Sequence, residues 1–331
     1  MSGAAATKEQ HHPPADLSLR WDDLTIGDWK NLLATAPQSN ALLSWPVALA
    51  TFATKRQRPH FGVFYEGTTP VALVVAHRWK FVFLEKISIH RGPLWLIDSP
   101  TQQQIESALT ALKNTFVKSE YRRPFQRFSF LPELRDTAPA RRALENTGFK
   151  QTRQPPYASL MLDITPAQSL LEKGLKKGWR SALKKSRKNK LRYTVDHTRP
   201  GYKLFLRGYR RDKTLKKYPG PSILFLLNLR KHANRNELLL LEAWHDGQLV
   251  AGQLFICHGR TVTYLVGWTT PEGRVVAAHN GLLFDAAIAE LKKRKMTALD
   301  LGGLTENAPT LNQFKEGMGG TPYTLAGAWR L

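Results

Sequence analysis

The sequence predicts an α/β protein that contains two similar domains, and three observations support this prediction. The chain has 331 residues, a length that suits two domains better than one. Its apolar fraction of 42% is that of an ordinary globular protein, so packed cores are expected. In each half, short strands precede alternating helices and strands. We therefore expect residues 1–20 to form a flexible tail, 21–163 a first domain and 164–331 a second domain.

The first half contains short runs of β-branched and aromatic residues, separated by turn residues such as Gly67 and Pro70. These runs predict strands at 61–65, 71–76, 81–84 and 93–97. The segment after Ser99 has apolar residues spaced for one face of a helix. These residues are Ile105, Leu109, Leu112 and Phe116. A strand at 127–131 and a helix at 138–147, ended by Gly148, complete the predicted first domain.

The second half repeats this order after a proline-containing linker at 154–157. Amphipathic patterns and Pro221 predict three helices, at 166–189, at 201–215 and after Pro221. Alternating patterns then predict strands at 238–245, 248–258 and 261–269. Asp246 and Gly247 form the predicted turn between the first two of these strands. A helix around 282–291 and a strand at 298–301 follow.

Composition and motifs exclude several classes of protein. Cys257 is the only cysteine, which excludes an internal disulfide and a thiolate zinc site, and the histidines show no metal-binding spacing, so we predict no metal. The chain contains no GxSxG, Walker or GxGxxG motif. It has no apolar run long enough to span a membrane and no signal-peptide pattern near residue 1. We expect a cytoplasmic protein whose membrane contact, at the inner membrane face, would be peripheral.

Positive charge is concentrated in one part of the chain. The formal net charge is +23, and residues 173–217 contain 18 Lys and Arg against only Asp196 and Asp212. Nucleic acid, an anionic membrane or a polyphosphorylated substrate would each complement such a patch. The partner is therefore expected to contact the second domain.

Within this patch, residues 171–192 form an amphipathic helical pattern whose polar faces are basic. The candidate phosphate-binding residues are Lys177, Arg180, Lys184, Lys185, Arg187 and Lys188. One interpretation is a solvated helix surface. The other is phosphate binding, because few acidic residues relieve the repulsion between cations one turn apart. Nucleic-acid phosphates and lipid headgroups both remain open at this point.

Two further stretches could carry chemistry. In the first, Arg210 or Arg211 could hold a diphosphate through a planar guanidinium, or could simply be solvated. In the second, Gly302 and Gly303 follow an apolar strand and could bring main-chain N–H groups close to a ligand. Lys315 follows in a second glycine-rich segment and could stabilise developing negative charge. The alternative there is a helix end followed by a surface lysine.

At these residues the chain resembles the FemABX family of aminoacyltransferases. The resemblance covers residues 37–331 and rests mainly on 177–180, 264–267, 299–303 and 314–320. Ser44-Trp45 and Arg91-Gly-Pro93 resemble further landmarks of the family. The resemblance implies two tandem GNAT-like domains and transfer of an amino acid from aminoacyl-tRNA to an amine acceptor. In the best-known members this acceptor is a peptidoglycan precursor that bears a diphosphate.

The resemblance also implies roles for individual residues. Phe314 and Lys315 match the family's catalytic pair, in which the lysine stabilises the oxyanion. The residues implied to bind substrate are Arg211, Tyr264, Gly302, Gly303 and Gly319. The tRNA would lie on the basic helix, and no cofactor other than the aminoacyl-tRNA co-substrate is expected. The long helical arm of Gram-positive relatives has no counterpart here, and Met318 stands where an aromatic residue is common.

Two other functions remain open. An acyl-CoA-dependent N-acyltransferase on the same fold would use acetyl-CoA or another acyl-CoA as donor. However, the stretch 274–281 lacks the first glycine of the usual pyrophosphate-binding loop. The duplicated fold could also serve as a non-catalytic RNA-binding platform, which would have no turnover to lose on mutation of Lys315.

Overall fold

The computed structural model describes residues 16–116 and 126–331. Most of the predicted tail, residues 1–15, lies outside the described residues. The strands are β1 (Leu17–Trp21), β2 (Arg58–Glu66), β3 (Thr69–Phe81), β4 (Leu84–His90), β5 (Leu94–Trp95), β6 (Gln126–Leu131), β7 (Lys150–Gln151), β8 (Ala158–Asp163), β9 (Arg192–Asp196), β10 (Leu238–His245), β11 (Gln248–His258), β12 (Thr261–Thr269), β13 (Ala298–Asp300), β14 (Thr321–Thr324) and β15 (Trp329–Arg330).

The α-helices alternate with these strands in both halves of the described chain. They are α1 (Ile26–Thr35), α2 (Trp45–Lys55), α3 (Gln102–Phe116), α4 (Ala138–Asn146), α5 (Gln168–Gly174), α6 (Lys177–Lys188), α7 (Arg199–Lys216), α8 (Ile223–His232), α9 (Pro271–Val275), α10 (Ala278–Gly281), α11 (Ile288–Lys293) and α12 (Pro309–Glu316). A 3₁₀ turn (Ala41–Leu43) precedes α2, and a π-helical segment (Leu282–Ala287) joins α10 to α11. No helix among the described residues has the length and apolarity needed to cross a membrane.

The strands form two mixed sheets, one for each domain. The first has the order β1-β2-β3-β4-β6-β15-β7, with β5 paired to β3, and the second has the order β14-β8-β13-β12-β11-β10-β9. In both sheets antiparallel strands precede one parallel pair, β4 with β6 and β12 with β13. The predicted α/β fold with a repeated plan is therefore present.

Three strands correct the predicted domain boundaries. Leu17–Trp21 is not tail, because it pairs along its whole length with β2. Strand β8 belongs to the second sheet, since it pairs with β13 and β14 and buries Leu160 and Leu162 in the second core. Strand β15 belongs to the first sheet, where Trp329 is fully buried. The chain therefore runs from the first domain to the second and back again.

Two predicted elements are also wrong in detail. Residues 81–84 are the tip of the β3–β4 hairpin and not a separate strand, since Phe81 pairs with Leu84. The single helix predicted at 166–189 is divided into α5 and α6, because Leu175 is extended and the Lys176 N–H donates to the Gly317 carbonyl at 3.0 Å. The predicted turn at Asp246 and Gly247 is confirmed, and both residues have positive φ.

The two parallel pairs differ at their carboxyl ends. In the first domain the ladder continues past β4, where the Arg91 N–H donates to the Leu131 carbonyl at 2.7 Å. In the second domain the ladder ends at Thr263 and Asp300, although β12 continues to Thr269. Of the two pairs, only the one in the second domain therefore ends while one of its strands continues. We call the region just beyond Thr263 and Asp300 the opening between β12 and β13.

Candidate active site

The opening between β12 and β13 is lined by residues that follow the last paired positions. Tyr264 is the next residue of β12, and Gly302 and Gly303 follow β13. Gly302 has a φ of 78°, and a Cβ there would lie 3.1 Å from the Tyr264 carbonyl oxygen. Only glycine fits both conditions without strain. The structure thus brings three of the predicted substrate-binding residues together, in partly exposed positions.

Lys315 lies on α12 with its ammonium against this glycine turn. Its side chain is 5% exposed, and Nζ donates to the carbonyl oxygens of Gly302 at 3.0 Å and Gly303 at 2.7 Å. Burial lowers the pKa of Lys315 to about 8, while the negative charge of Asp300 acts in the opposite direction. The alternative of a surface lysine is therefore wrong. An ammonium has three protons, so one remains to contact a ligand.

Asp300 anchors the loop that holds Lys315. The carboxylate is fully buried and accepts hydrogen bonds from Ser159 Oγ at 2.5 Å, the Gly302 N–H at 2.9 Å and Tyr323 Oη at 2.9 Å. Nη1 of Arg91, from the first domain, lies 3.6 Å from the same carboxylate. These contacts occupy both oxygens, so Asp300 is a positioning residue.

Phe314 connects the site to the basic helix. Its ring lies 5.5 Å from that of Trp179 on α6 and 5.1 Å from that of His279. Trp179 Nε1 also donates to the Phe314 carbonyl at 2.9 Å, and its ring leaves no room for a Cβ at Gly317. The first turn of α6 is therefore packed directly against the helix that bears Lys315.

His279 is a site residue that the sequence analysis missed. Its Nε2 lies 3.1 Å from Tyr264 Oη, and burial lowers its pKa to about 4. Burial also raises the pKa of Tyr264. Both groups are therefore neutral near pH 7, and no acid–base pair of opposite charge forms. His279 lacks a motif spacing, and its only sequence signal is its place just before Gly281 at the start of a helix.

The basic helix exposes four of its six predicted phosphate-binding residues, and these four form no ion pair with any residue that the structure describes. Lys177, Lys184, Lys185 and Lys188 are exposed, while Trp179 faces the core. Lys177, Lys184 and Lys188 follow one stripe that is about 16 Å long.

Arg180 and Arg187 correct this part of the prediction, because both make structural contacts. Arg187 forms bidentate hydrogen bonds with Glu172 at 2.9 and 3.0 Å and with Asp285 at 3.1 and 2.8 Å. Arg180 donates to the carbonyls of Lys173 and Leu175, between α5 and α6. Both guanidinium groups thus hold α6 in place and are not free phosphate ligands.

Two predicted substrate-binding residues take different positions from the others. Arg211 is exposed on α7, near Glu272, and makes no hydrogen bond to the glycine turn within the described residues. Gly319 has a φ of 79°, and a Cβ there would lie 2.6 Å from the Gly174 carbonyl oxygen. Gly319 therefore permits close backbone packing between α5 and α12, which is a structural role.

The stretch 274–281 consists of the end of α9, a turn at residues 276 and 277, and α10. The N–H groups of Arg274, Val276 and Ala277 donate to main-chain carbonyls of the α9 turn. These amides are not available to a pyrophosphate. Among the described residues, no group of three or more His, Cys, Asp or Glu side chains could hold a metal ion.

Comparison with known proteins identifies the fold and the enzyme class. Residues 173–316, which include Lys177, Tyr264 and Lys315, match the family model described as an acetyltransferase (GNAT) domain. The second domain therefore has a GNAT-like fold. The match confirms the predicted class of enzyme, an acyltransferase. No curated protein matches the chain.

Solved structures extend the GNAT assignment to the whole chain. The crystal structure of FemX superimposes with a TM-score of 0.78 at 13% identity, over 94% of this chain and 96% of that one. L-PGS from Bacillus licheniformis gives 0.56 at 13% identity, over 92% and 90% of the two chains. A C-terminal domain of a putative lysylphosphatidylglycerol synthetase from Agrobacterium fabrum gives 0.53 at 10% identity, over 92% of each chain. The tandem GNAT fold and the resemblance to FemABX proteins are thus confirmed at the level of the fold.

Proposed function

We propose that the protein transfers an aminoacyl group from aminoacyl-tRNA to an amine acceptor. The observation that carries the proposal is the placement of Lys315. Its buried ammonium lies at the opening between β12 and β13, next to a helix whose exposed lysines have no ion-pair partner in the described part of the chain. A buried cation is suited to a carbonyl that develops negative charge, and an exposed row of cations is suited to a phosphate backbone.

The chemistry is aminolysis of an activated ester. The neutral amine attacks the ester carbonyl, the new C–N bond forms, and the bond from the carbonyl carbon to the tRNA 3′ oxygen breaks. One proton passes from the amine to the departing oxygen. Asp300 is occupied and His279 has a pKa of about 4, so neither offers a strong base. Proton transfer within the bound substrates fits these side chains best.

Lys315 would act on the tetrahedral intermediate. Two of its protons are held by the carbonyls of Gly302 and Gly303, which fix the direction of the third. Because the pKa is about 8, the amine is mostly charged at neutral pH and can stabilise an oxyanion.

The structural neighbours support an acceptor from the cell envelope. FemX and the lysylphosphatidylglycerol synthetases share the tandem fold with this chain. An amine of a peptidoglycan precursor, or another envelope or natural-product amine, is the acceptor class we infer. Arg211 on α7 would contact a diphosphate only from the rim of the opening. A tRNA donor places the reaction in the cytoplasm, so this location is part of the proposal.

The test is a transfer assay with a mixed pool of charged tRNAs and an amine acceptor mixture from the cell envelope. The wild-type protein should consume one aminoacyl ester faster than it hydrolyses and form an amide. Lys315→Met should lower turnover by about 10²–10³-fold, the cost typical of one lost oxyanion donor. Its affinity for tRNA should remain.

Lys293→Met is the matched control, because Lys293 is 77% exposed and forms at most a long contact with Glu290. This variant should retain full turnover. Acetyl-CoA serves as the parallel donor. Loss of the CoA thioester without loss of any aminoacyl ester would replace the proposal with the acyl-CoA alternative. Retention of RNA binding by a protein with no turnover on either donor would indicate a binding module.

A further inference from the structure

The tip of the β3–β4 hairpin is the most exposed apolar feature of the described chain. Four consecutive residues form it, with exposed fractions of 62% for Phe81, 64% for Val82, 81% for Phe83 and 50% for Leu84. Contiguous apolar exposure of this kind usually marks an interaction site. The hairpin lies in the first domain, and none of the site residues described above belongs to it.

The turn itself is unfavourable for its residues. Val82 has a φ of 49°, a conformation that a β-branched side chain rarely adopts. Two-residue hairpin turns normally use Asn and Gly, because these residues tolerate positive φ. A valine and a phenylalanine therefore make the turn less stable than ordinary turn residues would. Strain retained at an exposed position points to a function for the apolar side chains.

Basic and aromatic residues lie directly behind the tip. The strand register places Trp79, Phe81, Leu84, Lys86 and Arg127 on one face of β3, β4 and β6. Trp79 stacks near Phe81 with ring centroids 6.0 Å apart and is half-buried. Lys86 and Arg127 on this face are exposed. Lys80, on the opposite face of the sheet, is exposed as well. From the tip towards the domain, the hairpin presents apolar, then aromatic, then basic residues. This order is found where proteins meet a lipid headgroup layer.

We propose that the hairpin tip, residues 81–84, inserts into an anionic phospholipid bilayer and anchors the first domain to its surface. A fluid bilayer accepts apolar side chains on both faces of a projecting hairpin, whereas a protein partner would need a matching groove. The cations behind the tip complement anionic headgroups. The interaction is independent of the proposed aminoacyl transfer.

The anchor leaves the candidate active site open. The tip lies at one end of β4 and Arg91 follows the other end, beside Asp300. Seven residues of extended strand separate the two by about 20 Å. Tip insertion would thus hold the enzyme at the membrane while the opening between β12 and β13 stays accessible to donor and acceptor.

Flotation with vesicles tests the proposal. The full-length protein should float with vesicles of phosphatidylcholine and phosphatidylglycerol, and part of this binding should persist at raised salt, because apolar insertion is not screened. The variant Val82→Gly/Phe83→Asn supplies favourable turn residues, because only position 82 has positive φ, and it should fold at least as stably as the wild type. It should bind at least about tenfold more weakly, since it loses the insertion of a phenylalanine and a valine.

The matched control is Leu170→Ser/Val275→Ser, which removes two side chains exposed to 56% and 64% elsewhere on the surface. It should bind as the wild type does. Wild-type affinity in the hairpin variant would overturn the proposal and assign binding to the general positive charge. Absence of binding by the wild type would also overturn it. So would a wild-type dimer, seen by sedimentation without vesicles, that the hairpin variant cannot form.

Vesicle binding needs no aminoacyl donor, so its outcome is separate from that of the transfer assay. Failure to float would leave the chemistry of Lys315 unaffected. Conversely, if the protein floats but shows no turnover, the membrane anchor is supported and only the proposed reaction is contradicted.

Discussion

At the scale of single residues, Lys315 combines charge with burial, which is unfavourable for folding. An exposed lysine keeps its charge at little cost, but the Lys315 ammonium is surrounded by the glycine turn and has no carboxylate within ion-pair distance among the described residues. Two carbonyl groups and the more distant charge of Asp300 offset only part of the lost hydration. The site therefore destabilises the folded chain in order to hold a cation in place.

This cost predicts a dependence of stability on pH. Below pH 8 both the folded and unfolded states hold the proton on Lys315. Between pH 8 and the ordinary lysine pKa of about 10.4, the unfolded state binds more protons, so the free energy of unfolding rises with pH. Lys315→Met should lack this rise, which is on the order of 3 kcal/mol in full.

Denaturant unfolding of both proteins at several pH values from 7 to about 9.5 measures the difference. Subtracting the two curves removes the tyrosines that titrate in the same range. A constant difference across these pH values would contradict the lowered pKa of Lys315.

The glycine turn could be predicted from the sequence, because glycines after an apolar strand form a local pattern, and the resemblance to FemABX proteins indicated Phe314 and Lys315. The contacts that position them could not be predicted in this way. Arg91 and Asp300 are more than 200 residues apart in sequence and meet only through the packing of two domains. His279 has no motif at all, since its role depends on the ring of Tyr264 across the sheet.

At the scale of elements, helix α6 separates its packing face from its charged face. Trp179 and Leu183 are buried, whereas the lysines project away from the core. The amphipathic pattern predicted helical structure here, although as one helix with α5, and pattern alone could not distinguish free cations from paired ones. Arg187 meets Glu172 from α5 and Asp285 from the π-helical segment, so its pairing depends on three elements.

The helix yields a prediction for tRNA binding. Replacing Lys177, Lys184 and Lys188 by Gln should weaken binding and reduce the slope of log affinity against log salt by about 2 to 3, since each lost phosphate contact removes about 0.7 to 0.9. Filter binding over a salt series provides the measurement.

Two controls accompany this measurement. The triple variant Lys55→Gln/Lys150→Gln/Lys231→Gln removes exposed lysines outside α6 and should leave the slope unchanged. Arg187→Gln should lower thermal stability while preserving the slope, because its guanidinium is held by two carboxylates. Equal slopes for the α6 triple variant and the wild type would contradict a tRNA path along α6.

At the scale of the whole molecule, the two domains are joined by more than one connection. The chain enters the second sheet at β8 and returns at β15, which lies between β6 and β7 of the first sheet. The sequence predicted two consecutive domains because a single strand of two residues has no detectable pattern. Between the domains, the guanidinium of Arg91 contacts Glu133 on one side and Tyr323 and Asp300 on the other.

Arg91 should therefore couple the stability of the two domains to the reaction. Its guanidinium donates to Glu133 at 2.5 and 2.7 Å and to Tyr323 at 3.1 Å. Burial acts to lower the pKa of Arg91, but Glu133 outweighs it and raises the pKa, so the guanidinium stays charged. Arg91→Met would leave Glu133 without its partner and should cost about 3–5 kcal/mol in the free energy of unfolding.

The same substitution should reduce turnover, because Asp300 loses one of the contacts that hold the loop of Gly302. The double variant Arg91→Met/Glu133→Gln removes the unpaired charge and should recover much of the stability, since the two side chains interact directly. It should not recover turnover, because the contact with Asp300 is still missing. Recovery of both properties would show that Arg91 acts only on stability, and that the loop bearing the Lys315 partners is held from within the second domain.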